Sequence, residues 1–534
     1  MAEEIVDVLI VGAGASGAAI AWSLADTRMN ILCLEQGDWI DPASYPGMSL
    51  DWEMGQFGEW AFSPNTRKRR EDYPVNDSGS PIAASMFNAV GGSTILYAAH
   101  FPRFHPSDFR VRSLDGVADD WPLDYARLAP YYDVNARMMG VSGLAGDPAY
   151  PPKEVPLPPL PLGKLGATLA QGFNRLGWHW WPSDSAITSQ DYEGRPACIN
   201  AGTCLTGCSH GAKGSTDITY WPEAVRRGVR LRTRCRVREI TVAASGMADG
   251  VIYYDGEGRE CRQKAHMVIV ACNGIGTPRL LLNSRSRLFP DGIANRSGLV
   301  GKNLMFHPYA MVTGIFDEPL EGYKGATGCC IMSQEFYETE LSRGFVRGYS
   351  FEILRGFGPT STALWGMGAG KVRWGLDHHR DYAELFDRTA GMVIIHEDLP
   401  EEHNSVTLDT DLADGNGIPA PKLTYRLSDN SNAMMAHSVA RAKEVLAAAG
   451  AKDTVAEAPL PFAGWHLMGT ARMGLDPKIS VVNEWGRCHD VRNLFIVDGS
   501  IFVTSAAVNP TNTIQALALY VGDQIKANLA TLFD

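Results

Sequence analysis

The sequence predicts an α/β (α+β) fold, in which a Rossmann-like nucleotide-binding domain is joined to a second domain built on a sheet. Three observations support this class. The β-branched run 5–11 leads into a glycine-rich turn at 12–17 and then into a helix-forming segment at 18–25. A second apolar strand at 30–35 completes a βαβ unit. Much farther along, 310–455 changes character and contains strands rich in aromatic residues and methionine.

The remaining elements follow from local patterns. Segment 50–80 is polar and irregular, and 150–163 holds six prolines, so it is expected to be extended. Helices are predicted at 167–176, 431–449 and 513–529, and strands at 229–242, 250–254, 265–271 and 493–497.

Composition excludes several classes of protein. The 534 residues carry a net charge of −12, with 45% hydrophobic and 20% charged residues, which argues against disorder and against a nucleic-acid partner. Ten cysteines are too few for a disulfide scaffold. The apolar stretch 5–24 contains Asp7 and three glycines, so we expect neither a signal nor a membrane span there. These features predict a cytoplasmic protein without a direct membrane span.

The glycine turn has the spacing G-x-G-x-x-G of a dinucleotide-binding fingerprint. Its first glycine permits the tight turn, the second lets the backbone approach a pyrophosphate, and the third allows close packing of helix on strand. The helix N-terminus attracts the phosphate charge, and a carboxylate at the end of the next strand can bind ribose hydroxyls. The fingerprint alone does not separate FAD from NAD. The predicted cofactor-binding residues here are Gly12, Gly14, Ala15, Ser16, Gly17 and Glu35.

Further blocks, taken with this turn, carry a family resemblance. In order and spacing they resemble the glucose–methanol–choline (GMC) oxidoreductases, and most of all the catalytic subunits of bacterial gluconate and glucose dehydrogenases. The resemblance implies FAD rather than NAD. The blocks are 88–109, 119–133, 272–282, 464–474, 493–502 and 508–519.

The resemblance also implies how FAD is held. Tyr97 replaces the family's usual asparagine, and no histidine lies at 93–97, so non-covalent FAD is expected. Because the cofactor blocks lie near both ends of the chain, we predict a discontinuous FAD-binding domain formed by 1–150, 190–309 and 456–534, a proline-rich linker at 151–189, and a substrate-binding domain at 310–455. The further residues implied for FAD binding are Gly91, Gly92, Ser93, Val237, Asp498, Gly499, Asn509, Pro510 and Thr511.

An alcohol oxidation requires a base for the hydroxyl proton and an acceptor for the hydride. The resemblance assigns the base to His466 and an orienting role to Asn509, whose amide can donate a hydrogen bond but cannot act as a base. Arg472 is either a flavin contact or a member of an ion pair. Candidate walls of the substrate site are Tyr349, Phe351, Phe357, Trp365 and Trp374.

The implied function is FAD-dependent oxidation of a CH–OH group in a sugar, glycoside, polyol or cyclic alcohol. A hydrogen-peroxide-producing oxidase with the same substrates is an alternative. Two alternatives belong to other functional classes: a hydroxynitrile-lyase-like protein and a non-catalytic FAD-binding protein. The expected electron acceptor is a quinone, a cytochrome or oxygen, and a small escort subunit, with export to the periplasm, is an alternative to the cytoplasmic location.

Three cysteines lie within one glycine-rich loop. Cys198, Cys204 and Cys208 have a spacing similar to that of the cysteines that hold a three-iron (3Fe-4S) cluster in glucose dehydrogenase subunits. Two alternatives stay open: a zinc site with His210 or Cys235 as fourth ligand, and buried cysteines that only pack beneath the flavin.

Overall fold

A computed structural model describes residues 4–327 and 331–532 of the chain. Their strands are β1 (Ile5–Val11), β2 (Ile31–Leu34), β3 (Asn76–Gly79), β4 (Trp181–Pro182), β5 (Arg230–Arg232), β6 (Arg236–Val242), β7 (Ala248–Tyr254), β8 (Glu260–Val270), β9 (Tyr309–Ile315), β10 (Ile331–Ser333), β11 (Tyr349–Leu354), β12 (Thr389–His396), β13 (Ser405–Ala413), β14 (Pro419–Thr424), β15 (Asp453–Glu457) and β16 (Leu494–Ile496). Their α-helices are α1 (Ala15–Leu24), α2 (Pro64–Arg67), α3 (Val111–Asp115), α4 (Tyr125–Met139), α5 (Gly163–Leu176), α6 (Tyr220–Arg226), α7 (Asn273–Asn283), α8 (Pro359–Gly368), α9 (His378–Leu385), α10 (Asp429–Ala449) and α11 (Thr511–Asn528).

The first sheet is the nucleotide-binding core and is assembled from distant parts of the chain. Strands β5, β2, β1 and β8 lie side by side and parallel, β16 adds to the far side of β8, and β7 and β6 extend the sheet antiparallel. Apart from Asp7 near the start of β1, the central strands are apolar, as expected where both faces of a parallel sheet are covered. Helix α1 packs against α11, and α11 packs against α4. The predicted α/β class is confirmed.

A second, six-stranded sheet is antiparallel in the order β15-β9-β12-β11-β10-β4. One face packs on α5 and α10 through a core that includes Phe351, Ile353 and Met392. Because side chains alternate along a strand, Glu352, Leu354 and Val393 point to the other face. That face closes one side of the cavity described below.

The ends of α10 show how local sequence sets its length. The Ser428 side chain accepts a hydrogen bond from the Ser431 amide at the start of the helix, and Gly450 adopts a left-handed conformation at its end. The predicted helix at 431–449 is therefore confirmed, with two more residues at its start.

Strand membership crosses the predicted domain boundaries in two places. The short β4, from the proline-rich segment, pairs with β10 of the second sheet, and β3 pairs with β14 in a separate three-stranded sheet, β13-β14-β3. The domain boundaries themselves stay predictions. Within 4–327 and 331–532, no helix combines the length and the apolar character needed to cross a bilayer.

Candidate active site

A cavity lies between the two large sheets and brings most of the predicted site residues together. Its walls come from the glycine turn after β1, the end of β2, the segment 85–100, the start of β9, and the segment leading into α11. Two of the predicted cofactor-binding residues, Gly17 and Gly91, lie outside the lining. The predicted residues that line it are Gly12, Gly14, Ala15, Ser16, Glu35, Gly92, Ser93, Val237, His466, Asp498, Gly499, Asn509, Pro510 and Thr511.

The first glycine turn is required by close packing. Gly12 has φ of +100°, and a Cβ there would lie 2.5 Å from the carbonyl oxygen of Ala271. A Cβ on Gly17 would lie 2.0 Å from the carbonyl oxygen of Gly12. Gly17 therefore lets helix α1 pack closely on the turn. Its neighbours, rather than Gly17 itself, line the cavity.

A second glycine pair presses against this turn. The Gly91 amide donates to the carbonyl oxygen of Ala13 at 2.9 Å, and a Cβ on Gly92 would lie 2.9 Å from the Cα of Gly14. Gly14 is the N-cap of α1, and no side chain caps this helix end. The first amides of α1 thus face the cavity with their hydrogen-bonding capacity available for a pyrophosphate.

Glu35 closes the nucleotide end of the cavity. Its Oε2 accepts a hydrogen bond from the Ala13 amide at 2.7 Å, and its Oε1 accepts one from the Gly37 amide at 2.8 Å. Burial raises the pKa of this carboxyl, while the two amide donors act in the opposite direction. Glu35 therefore holds the glycine turn in shape as well as lining the pocket, and its role toward a ribose stays a prediction.

Asp498 and Val237 also line the cavity. Asp498 Oδ1 accepts from the Ser500 amide at 2.9 Å, and its Oδ2 accepts from the Thr277 hydroxyl at 2.6 Å. Asp498 therefore caps the short turn that begins at Gly499 while also lining the cavity. Val237 pairs with Tyr253 at the start of β6, next to an irregularity in the register.

His466 lies at the other end of the cavity, where its protonation pattern follows from its neighbours. His307 is fully buried, and its Nε2 lies 3.1 Å from the carbonyl oxygen of Ser505 and 2.9 Å from that of Ala506. Carbonyl oxygens only accept, so Nε2 of His307 carries the proton. Burial lowers the pKa of His307 to about 4, which leaves its Nδ1 as an acceptor near neutral pH.

The Nδ1 atoms of His307 and His466 are 2.6 Å apart. Because His307 accepts there, His466 Nδ1 carries the hydrogen, and His466 Nε2 keeps a free lone pair. The Tyr309 hydroxyl lies 3.3 Å from the same His466 Nδ1. Burial, with smaller contributions from His307 and His100, holds the pKa of His466 well below its usual value of 6.5. The arrangement therefore presents a neutral imidazole with the tautomer of a base.

This chain of hydrogen bonds makes His307 a positioning residue. His307→Leu removes the acceptor for His466 Nδ1–H, so the rate of flavin reduction is expected to fall about 10- to 100-fold, as when the partner that fixes a functional histidine is lost. His307→Gln can still accept from His466 and donate toward Ser505, so it should recover most of the rate. Rapid-mixing measurement of flavin reduction under anaerobic conditions checks both variants. Equal losses in the two variants would contradict the positioning role.

Sequence reasoning did not single out three side chains at this end of the cavity. They are His100 and Glu352, which line the cavity, and His307, which contacts His466. His100 lies inside the resemblance block 88–109, and His307 comes two residues before a strand, but neither position has a local signal for function. Glu352 does have a local signal, because it is a carboxylate within the otherwise largely apolar strand YSFEIL.

The expected aromatic walls are wrong. Because Tyr349 and Phe351 alternate with Glu352 along β11, they point into the core beneath α10. Phe357 packs on Trp365, and Trp374 is 88% exposed. The aromatic residues that do line the cavity are Phe62, Tyr73, Phe87, Tyr97, Tyr309 and Trp465.

Arg472 is outside the lining and pairs with Asp119, with Nη2 and Oδ2 2.7 Å apart. Of the two roles considered for it, the structure shows the ion pair.

The cysteine loop offers no geometric support for a metal centre. Among the described residues, no three His, Cys, Asp or Glu side chains converge in a way that could hold a metal ion. Cys204 is buried in the hydrophobic core around the first sheet, and Cys198 and Cys208 pack against that core. These residues do not fit a cluster in this arrangement, and no electron-transfer step is assigned to them.

The uncapped start of α1, the paired glycine turns and the oriented histidine together fit FAD and an alcohol substrate, which defines an FAD-dependent oxidoreductase. Family models described as GMC oxidoreductase match residues 6–309 and 400–518. The chain belongs to the GMC oxidoreductase family.

Characterised relatives act on hydroxyl-bearing compounds, according to their names. The chain is 42% identical to 2-methyl-1,2-propanediol dehydrogenase of Mycolicibacterium austroafricanum, covering 99% of this chain and 96% of that protein. It is 29% identical to the fructose dehydrogenase large subunit of Gluconobacter japonicus, covering 98% of each.

A solved structure shares the fold. Pyridoxine 4-oxidase from Mesorbium loti aligns with a TM-score of 0.67 at 17% identity, covering 98% of this chain and 99% of that one. The chain is an FAD-binding enzyme that oxidises an alcohol or sugar.

Proposed function

We propose that the chain oxidises a CH–OH group of a small polyhydroxylated alcohol, with His466 as the base and Asn509 as the orienting group. The observation that carries this proposal is the hydrogen-bond order from Ser505 and Ala506 through His307 to His466, which leaves His466 Nε2 free to accept a proton. The relatives named for a diol and for fructose support a substrate with several hydroxyl groups.

In this mechanism His466 Nε2 removes the proton of the substrate hydroxyl. FAD, when bound, supplies the hydride acceptor. The Asn509 amide lies at the same end of the cavity and donates a hydrogen bond to the substrate oxygen, which orients it toward His466. Around them, the buried Tyr309 and Leu467 limit access of water to the reacting group.

The experiment is anaerobic mixing of the yellow holoprotein with propylene glycol, n-propanol, fructose and gluconate. At least one of these compounds should bleach the visible absorbance of the flavin, with the corresponding carbonyl product detected. A flavin that stays oxidised with all hydroxyl compounds, while the protein cleaves a cyanohydrin, would replace this proposal with lyase activity.

The electron acceptor is a further part of the proposal. We favour a dehydrogenase that passes electrons to a quinone or a cytochrome, because the relatives named for a diol and for fructose are both called dehydrogenases. The name "large subunit" in one relative supports a partner subunit for this chain. We also propose non-covalent FAD and a cytoplasmic location. Iron and sulfide assays on the holoprotein test the cysteine loop, and precipitation with acid tests FAD release.

A further inference from the structure

Three polar side chains at the His466 end of the cavity each have a buried atom without a hydrogen-bond partner. These atoms are Glu352 Oε1, His100 Nε2 and Asn509 Oδ1. Glu352 and His100 are each only 3% exposed, and all three residues line the cavity. Buried polar groups normally form hydrogen bonds. A cluster of buried polar atoms that lack a partner and face a cavity therefore indicates where a polar group of a ligand binds.

Glu352 is an unusual residue for its strand. Its neighbours Phe351 and Ile353 belong to the apolar core, and its cross-strand partner is Val393. The groups that act on its pKa are the surrounding apolar burial, which raises it to about 8, and the Asn509 amide, which lowers it. At neutral pH the Glu352 carboxyl therefore holds a proton that it can donate in a hydrogen bond.

His100 presents the complementary group. Its Nδ1 lies 2.8 Å from the Ser183 hydroxyl oxygen, and that hydroxyl donates to the carbonyl oxygen of Asp184 at 3.2 Å. Ser183 has one hydrogen, so it accepts from His100 Nδ1–H, and His100 Nε2 is left as an acceptor. Burial lowers the pKa of His100 to about 3, which keeps the ring neutral.

The two groups form a donor and an acceptor at one spot. Glu352 Oε2 and His100 Nε2 are 3.6 Å apart, too far for a direct hydrogen bond but close enough for one hydroxyl group to contact both. A hydroxyl group is the matching ligand, because its oxygen accepts from Glu352 while its hydrogen is donated to His100.

We propose that Glu352 and His100 bind a second hydroxyl group of the substrate, next to the hydroxyl that His466 deprotonates, so that the enzyme selects vicinal diols over monohydric alcohols. This inference rests on the proposed alcohol oxidation. A site built to hydrogen-bond a hydroxyl discriminates strongly against an analogue that lacks it, because the buried protein groups are then left unpaired.

The test compares kcat/KM for propylene glycol and n-propanol. The native enzyme should prefer the diol by about 10- to 100-fold or more. Glu352→Leu and His100→Phe should each lower kcat/KM for the diol more than kcat/KM for n-propanol, so that the preference for the diol falls to near unity. Glu352→Gln keeps a donor amide and should retain part of the preference. Glu444, a partly exposed carboxylate on α10, supplies the matched control Glu444→Leu.

A binding measurement separates recognition from catalysis. In the His466→Ala background the flavin spectrum can be titrated with each alcohol without turnover, and Glu352→Leu should raise the Kd of the diol alone. Equal preference for both alcohols in the native enzyme, or equal losses for both in Glu352→Leu and Glu352→Gln, would overturn the subsite while leaving alcohol oxidation intact. Failure of every alcohol to reduce the flavin would overturn the function itself.

Discussion

Replacing His466 with alanine is expected to lower the rate of flavin reduction by the substrate about 10²- to 10⁴-fold, the usual contribution of a positioned general base. The flavin should remain bound, because the side-chain contacts of His466 are with His307 and Tyr309 rather than with the glycine turns. Anaerobic rapid-mixing absorbance measures the rate, and the ratio of flavin to protein absorbance measures retention of FAD. Normal reduction in this variant would refute the base assignment.

The control and the pH dependence sharpen this test. His379→Ala removes an exposed histidine at the start of α9 and should leave the rate unchanged. In the native enzyme the pKa of His466 is held well below 6.5, so the base stays unprotonated through neutral pH. The reduction rate should therefore begin to fall only when the pH is lowered well below 6.5.

Replacing Arg347 with methionine is expected to destabilise the protein by about 3–5 kcal/mol. The Arg347 side chain is fully buried and contacts three carboxylates: Asp108 at 2.6 Å, Glu397 at 2.8 Å and Asp115 at 3.0 Å. Methionine fills the volume but leaves the first two carboxyls buried without a countercharge. Thermal or denaturant unfolding measures the loss.

The sign of the pH dependence follows from the same contacts. Burial already raises the pKa values of Asp108 and Glu397, and Arg347 lowers them. Without Arg347 the folded-state pKa values rise further, so the folded protein binds more protons than the unfolded chain. Stability of the variant therefore decreases as pH rises toward the folded-state pKa values, and the deficit is smaller in acid.

The control for this variant is Arg226→Met, which removes a guanidinium that is 72% exposed and pairs with Glu223 on the surface. It should change stability by about 1 kcal/mol or less. A similarly small loss of stability in Arg347→Met, with the same loss at every pH, would show that the buried carboxyls do not depend on Arg347 for a countercharge.

The Arg347 network also reaches the active site. Asp108 accepts a hydrogen bond from the Tyr337 hydroxyl at 2.7 Å, and the Ala507 amide donates to that hydroxyl at 3.3 Å. Ala507 lies two residues before Asn509 in the segment that supplies the carbonyl oxygens for His307. The buried charges thus anchor the loop that sets the geometry of the base.

The sequence by itself determined the nucleotide-binding half of this protein. Local rules operate there: a βαβ unit has a fixed order, and a tight turn requires glycine, so the positions from Gly12 to Gly17 could be interpreted without coordinates. The family blocks extended the prediction to FAD and to His466, because motif spacing survives where general similarity is low.

Only the tertiary structure decided the rest of the site. The tautomer of His466 depends on His307, 159 positions away in the chain, and the proposed diol subsite relies on His100 and Glu352, which come from distant parts of the chain. The aromatic residues of β11 could not be placed from composition, because a shift of one residue reverses which face is buried. Hydrogen-bond direction and strand register are properties of the packed molecule, and they decide which polar groups face the substrate.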